Sequence, residues 1–81
     1  MVSSFPPPSH AFGAVLRRER RARELSQRAL AEKAGLSEKH VGEIERGRRF
    51  PRLRTIAALE HALGLPPGEL MRRAHEEAGG G

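Results

Sequence analysis

The sequence predicts an all-α fold, five short helices forming one small domain. Three observations carry that prediction. Between residues 10 and 75, Ala, Leu, Arg and Glu dominate and β-branched residues are few (Val15, Val41, Ile44, Thr55 and Ile56), a composition that favours helix over sheet. Apolar residues recur at helical spacing and do not alternate. A hydrophobic-staple spacing across a helix start occurs three times, as Leu25 with Leu30, Leu36 with Val41, and Leu65 with Leu70.

The first helix is expected from about His10 to Arg23, with Ser9 as N-cap. Phe12, Val15, Leu16, Glu19 and Ala22 fall on one stripe, and Arg17, Arg18 and Arg21 lie off it as solvated residues. The second helix is expected to start after the N-cap Ser26 and to end at Ala34, where Gly35 can adopt the left-handed conformation that closes a helix. The third repeats the pattern: Ser37 caps it, it runs from about Glu38 to Arg46, and Gly47 stops it. Residues 48–52 form a loop. The fourth helix spans about Leu53 to Leu63, with Ile56, Leu59 and Leu63 inward and Gly64 at its end. The fifth is expected to start near Pro67, since proline is tolerated in a first turn, and it carries Leu70 and Met71. Met1–Ser9 holds three prolines and no periodicity and reads as a disordered lead-in, and residues 76–81 as a flexible tail. The domain is thus residues 10–75.

Length and charge narrow the function. A chain of 81 residues fits one domain with a thin core and excludes a multi-domain enzyme. The longest apolar runs are a few residues, far short of the roughly 20 that span a bilayer. The proline-broken start carries no Lys or Arg and does not read as a signal peptide. There is no cysteine, hence no disulfide and no thiolate metal site. Four histidines without Cys or Asp give no metal-ligand spacing, so neither metal nor cofactor is expected. No nucleophile–base pair, paired acids or Gly-rich phosphate loop argues for an enzyme. The net charge of +5 and a pI near 11.3 point to a polyanionic partner. A membrane surface is disfavoured because the arginines do not line one amphipathic face with bulky aromatics. Arginine outnumbers lysine thirteen to two, but GC-rich coding also produces that bias, so position must carry the argument.

The informative stretch is Gln27 to Arg46. Its two helices are joined by Ala34-Gly35-Leu36-Ser37, and so short a joint forces a steep crossing. A steep crossing needs a small residue at the contact (Ala31), a residue tolerant of positive φ at the turn (Gly35), and apolar residues beneath the second helix (Val41 and Ile44). Leu30 and Leu36 close the small core.

On Gln27, Leu30-Ala31, Gly35-Leu36-Ser37, Val41, Ile44-Glu45, Gly47, Pro51, Leu53 and Ala62-Leu63-Gly64-Leu65, the sequence resembles the Cro/C1-type (XRE) helix–turn–helix regulators. The resemblance covers about Phe12 to Arg73. It implies a lambda-repressor-like five-helix DNA-binding domain with the helix–turn–helix at helices 2 and 3. Two positions depart from the family pattern: Arg52 and Pro66 stand where small polar caps usually open helices 4 and 5.

With Val41, Ile44 and Glu45 turned inward, Lys39, Glu43 and Arg46 face outward, with His40 and Gly42 on the flanks. The second helix of such a motif enters the major groove. Lys39 can donate to guanine O6 and N7 and Glu43 can accept from cytosine N4, which makes them the first candidate base readers; an exposed Lys39–Glu43 ion pair is the plain alternative. His40 is a candidate for a base or phosphate contact, and Gly42 for close approach to the groove wall or for nothing. The resemblance makes Gln27 a further DNA contact. Ser37 can cap its helix and lie near a phosphate. Arg46, Arg48, Arg49, Arg52 and Arg54 crowd nine residues without an acid, where the family meets the sugar–phosphate backbone; the first four are the phosphate candidates. The resemblance also implies a partly buried salt bridge between Arg20 and Glu45. Phe50 is expected to plug the core beneath the loop.

These readings converge on a sequence-specific transcriptional regulator of bacterial or phage cytoplasm. It is expected to repress, and to bind a two-fold operator in double-stranded DNA as a homodimer through Leu65, Leu70 and Met71, whose alternative role is packing against helix 1. No small-molecule ligand or membrane is expected. The alternative is an antitoxin-type module that binds and silences a partner protein.

Overall fold

The computed structural model describes residues 7–79 as five α-helices: α1 (Ser9–Ala22), α2 (Gln27–Ala34), α3 (Glu38–Glu45), α4 (Leu53–Leu63) and α5 (Glu69–Ala78). Among the described residues there is no strand, and no helix is long and apolar enough to cross a membrane. Residues 1–6 of the expected lead-in and residues 80–81 of the expected tail lie outside the described residues.

The first four helices end in one motif. In each, a backbone N–H reaches five residues back: Leu25 to Arg20, Leu36 to Ala31, Arg48 to Glu43 and Leu65 to Glu60, at 2.8–3.1 Å. This Schellman closure requires a left-handed residue just before the donor. Gly35, Gly47 and Gly64 fill that position in three helices, but Glu24 fills it after α1, at φ 57°. Three of the four donors are leucines that pack on the core. Leu25 and Leu36 thereby end one helix and staple the start of the next. Ser26 Oγ then accepts from Ala29 N at 2.9 Å, and Ser37 Oγ from His40 N at 3.0 Å. Six consecutive residues thus stop and restart the chain, so the α2–α3 joint is specified locally.

The core draws on every helix: Phe12, Val15 and Leu16 from α1, Leu30 and Ala31 from α2, Val41 and Ile44 from α3, Ile56, Leu59 and Leu63 from α4, and Leu70 and Ala74 from α5. Phe50 packs its ring 5.3 Å from that of Phe12, closing the core under the loop as expected. α1 packs against α3 and α5, and α2 against α3 and α4. Gly13 makes the α1–α3 crossing possible, because a Cβ there would stand 2.6 Å from the carbonyl oxygen of Glu45. Gly13 carries no signal in the periodicity, since what it avoids is 32 residues away.

Two helix starts differ from expectation. Ser9 is inside α1; Pro8 is the N-cap, and its carbonyl accepts from Ala11 and Phe12. Proline needs no N–H partner there, which makes it a suitable entry residue. Pro67 does not open α5. Glu69 N bonds Pro66 O at 3.1 Å with Gly68 at φ 89° and ψ −10°, a type II turn with Pro67 and Gly68 at its centre. The missing cap of α5 is replaced from α4, where buried Glu60 accepts from Leu70 N at 3.0 Å.

α5 continues to Ala78 and is tied to α1 by charge as well as by Leu70 and Ala74. Arg73 bridges Glu19 and Glu69, each at 2.7 Å, and Arg18 reaches Glu77 at 3.0 Å. Hydrogen bonds from Arg72 and Arg73 hold the Glu69 carboxyl down at about 2. Burial pushes Glu19 up, but hydrogen bonds and charge from Arg23 and Arg73 outweigh it and leave Glu19 below the ordinary range.

The left-handed conformation costs a residue other than glycine roughly 1–2 kcal/mol, and glycine surrenders about 0.5–1 of that through its freer unfolded chain. Glu24→Gly should therefore raise stability in urea by about 0.5–1 kcal/mol. Carboxylates with depressed pKa values stabilise the fold above their unfolded value near 4.5, and that contribution fades as pH falls toward 2. The urea midpoint should fall across that window, and less steeply in Arg73→Gln, where both carboxylates are deprived of a partner.

Candidate nucleic-acid interface

The α2–α3 unit is held to the scaffold by one carboxylate. Glu45, at the last turn of α3, has a side chain without solvent exposure. Arg20 of α1 grips it through both oxygens, Nε to Oε2 at 2.6 Å and Nη2 to Oε1 at 2.9 Å, and sends Nη1 to the carbonyl of Leu25 at 2.8 Å. Gln27, the first residue of α2, donates its amide to Glu45 Oε1 at 3.0 Å. Arg17 places Nε 3.5 Å from the same oxygen. Burial pushes Glu45 up, but the hydrogen bonds from Arg20 and Gln27, with the charges of Arg20 and Arg17, bring it below the ordinary carboxylate range. The bond to Glu45 raises Arg20 in turn. The bridge implied by family resemblance is thus present, bidentate and buried.

α3 presents its other side to solvent. Lys39 is exposed and has no ion-pair partner among the described residues. It does not pair with Glu43, whose carboxylate instead lies 3.5 Å from Arg49 Nη1. Glu38, which sequence reasoning left unassigned, is the first residue of α3 and is exposed beside Lys39. Its signal was position, because N-terminal residues of a recognition helix meet base edges.

Gly42 is buried beneath polar side chains. A Cβ there would come 3.0 Å from Arg46 Nη1 and 3.5 Å from Gln27 Oε1, so a larger residue would press only on the movable tip of Arg46 and would sit in ordinary contact with Gln27. Gln27 therefore joins the face with its amide group already committed to Glu45. Ser37 Oγ is engaged as an acceptor in its cap, which leaves the hydroxyl hydrogen to donate.

The basic loop wraps one end of this face. Arg46, Arg48, Arg49 and Arg52 are all exposed. Arg52 is the N-cap of α4 and makes no capping hydrogen bond, so the first N–H groups of α4 open outward without a side-chain partner. Between α3 and α4, His40, Arg49, Phe50, Pro51, Arg52 and Thr55 line a recess of about 490 Å³. His40 is half-buried on its wall. A helix N-terminus beside two arginines suits an anion.

The expected dimer contacts separate. Leu70 is fully buried in the core, packed within its own chain, and is corrected from surface contact to core residue. It belongs there because α5 turns one apolar edge, Leu70 and Ala74, onto α1. Leu65 and Met71 are partly exposed at the edge of that packing.

Comparison with known proteins identifies the family of the fold. A family model described as a helix-turn-helix domain matches residues 11–74. An HTH-type transcriptional regulator of Mycobacterium bovis is 40% identical over 60 residues, 74% of this chain and 23% of that protein. The immunity repressor protein of Bacillus phage phi105 is 48% identical over 46 residues, 57% of this chain and 32% of the repressor. The chain therefore spans about a quarter to a third of the length of these relatives. Among solved structures, the restriction-modification controller protein C.AhdI from Aeromonas hydrophila superposes with a TM-score of 0.74 at 44% identity, covering 76% of this chain and 94% of that one.

Removing one partner of a buried pair leaves an uncompensated charge. Arg20→Ala and Glu45→Ala should each cost about 3–5 kcal/mol of stability. In chemical denaturation the double variant should be destabilised by clearly less than the sum. Additive effects would show that the two side chains are energetically independent.

Proposed function

Because the chain belongs to the helix-turn-helix domain family, we propose that it is a sequence-specific DNA-binding repressor of transcription that binds a two-fold operator as a homodimer, with α3 in the major groove. The observation that carries this reading is the division of α3 into two faces. Val41, Ile44 and Glu45 are locked into the scaffold, Glu38 and Lys39 are exposed, and Glu43 is half-buried on the same outer side. A helix so anchored presents its outer residues at a fixed angle, which base readout requires and non-specific attraction does not.

The roles divide by chemistry. Lys39 donates to guanine, and Glu43 accepts from cytosine. Gln27 and His40 contribute base contacts from the flanks. Ser37, Arg46, Arg48, Arg49 and Arg52 hold phosphates, helped by the open N-terminus of α4. Leu65 and Met71 form the apolar part of the dimer contact. Two copies supply the affinity that one small module lacks, and their half-site centres lie about 34 Å apart on one face of the duplex.

A base-substitution scan of the operator tests this assignment. Lys39→Ala and Glu43→Gln should change the preferred base at one symmetric position in each half-site, an effect of about 1–3 kcal/mol. Arg48→Ala and Arg49→Ala should weaken specific and non-specific DNA alike and leave the preference profile unchanged. An unaltered profile for Glu43→Gln would remove Glu43 from the readers, and a footprint covering one asymmetric half-site would overturn the dimer.

A further inference from the structure

The face of α1 next to the recognition unit forms a second basic surface. His10, Ala14, Arg17, Arg18, Arg21 and Glu45 line a groove of about 420 Å³ there. At these spacings the five α1 residues share one helix face, and the small, exposed Ala14 leaves its middle open.

The charges along the groove are unequally compensated. Arg20 and Gln27 already occupy both oxygens of Glu45. Arg18 is engaged by Glu77 at 3.0 Å and lies 3.9 Å from Glu19. Arg21 has no ion-pair partner among the described residues and is exposed. Arg17 is the informative residue. Its Nε is buried without a hydrogen-bond partner, while the side chain as a whole is 43% exposed. With Nε turned inward to Glu45, it is the two Nη groups that a ligand can meet, and Glu45, already gripped by Arg20, leaves the Arg17 charge only partly compensated.

The position of Arg17 points to its partner. Its Nε and the Gln27 amide approach the same atom, Glu45 Oε1, at 3.5 and 3.0 Å, so Arg17 stands beside the N-terminus of α2. Gln27 in turn lies close to Gly42, a buried position of α3 beside which the Arg46 guanidinium also lies. Arg17 in the α1 groove therefore lies beside the start of α2, while His10, at the other end of the groove, lies against Gly47 where the loop of residues 48–52 begins.

We infer that Arg17, with Arg21 one turn further along α1, binds backbone phosphates of the duplex next to the start of α2. This forms a second anchor, on α1, in addition to the Arg48–Arg49 loop. The inference rests on the DNA-binding reading above. Guanidinium groups suit this role, because they offer paired donors to phosphate oxygens and retain their charge at any working pH. Two anchors on separate elements restrict the rotation of the domain on the duplex more than one does.

The test is the salt dependence of binding by the full chain to a random-sequence duplex of about 30 base pairs. Removing one phosphate-binding side chain should flatten the log-affinity against log-salt slope by about 0.9 per protomer. Arg17→Ala and Arg21→Ala should each flatten it by that amount with the base-preference profile intact, and Arg17→Lys should restore most of the slope. Arg18→Ala, whose charge is already engaged by Glu77, should leave the slope as in wild type. A wild-type slope in Arg17→Ala and Arg21→Ala, alongside a reduced slope in Arg48→Ala, overturns the α1 anchor and spares the DNA-binding reading. A wild-type protein with no salt-dependent affinity for duplex overturns both. Should Arg17→Ala lower the thermal midpoint, Arg17→Lys and Arg21→Ala decide the matter, since the first keeps the charge beside Glu45 and the second touches no partner.

Discussion

The placement of the outer face of α3 depends on the buried pair of Arg20 and Glu45. Two charges removed from water are costly unless each finds good geometry and its remaining groups are satisfied. Both conditions hold. The guanidinium uses its three nitrogens, two on the carboxylate and one on the Leu25 carbonyl at the end of α1. The carboxylate receives α1 and α2 together, through Arg20 and Gln27. Three helices are thus referenced to one group at the base of α3. A hydrophobic pair of similar volume would pack as well but would not set the rotation of α3 about its axis.

This anchoring explains why the recognition unit can be short. α3 has eight residues, too few to be stable alone in water. It is held at its start by the Ser37 cap and Leu36, along its inner side by Val41 and Ile44, and at its end by Glu45 and the Gly47 closure. Gly13 lets α1 pass close enough for Arg20 to reach. What is left over is a bare polar face, and each of its residues is either unpartnered, as Lys39 is, or weakly engaged, as Glu43 is with Arg49. The Glu43–Arg49 contact is exposed and therefore of small energetic weight, so a base or a phosphate can replace either partner at little cost.

Helix boundaries set by local chemistry were legible in the sequence. The two Leu-Ser starts, the glycine closures after α2 and α4, and the inward stripes of α3 and α4 all depend on residues within one or two turns of each other. The same local reasoning misjudged Ser9 and Pro67, where two rules competed. A serine near a helix start was favoured over the proline before it, and a helix-opening proline over the Pro-Gly turn that Gly68 at φ 89° makes.

The residues that sequence reasoning missed or misassigned have partners far along the chain. Gly13 answers to a carbonyl on α3, and of the two roles open to Leu70, dimer contact or packing against helix 1, only the docking of α5 on α1 selects the second. Arg17 passed for a solvated residue off the apolar stripe, although the stripe's edge faces Glu45. By itself the sequence determined the helical class, the helix–turn–helix joint and the outer face of α3, because caps, turns and periodicity act between neighbours in the chain. Only the tertiary structure decided which polar groups are already satisfied by one another and which stay open to a ligand. That depends on how residues such as Gly13 and Glu45, 32 positions apart, approach in space, and no local pattern encodes the distance.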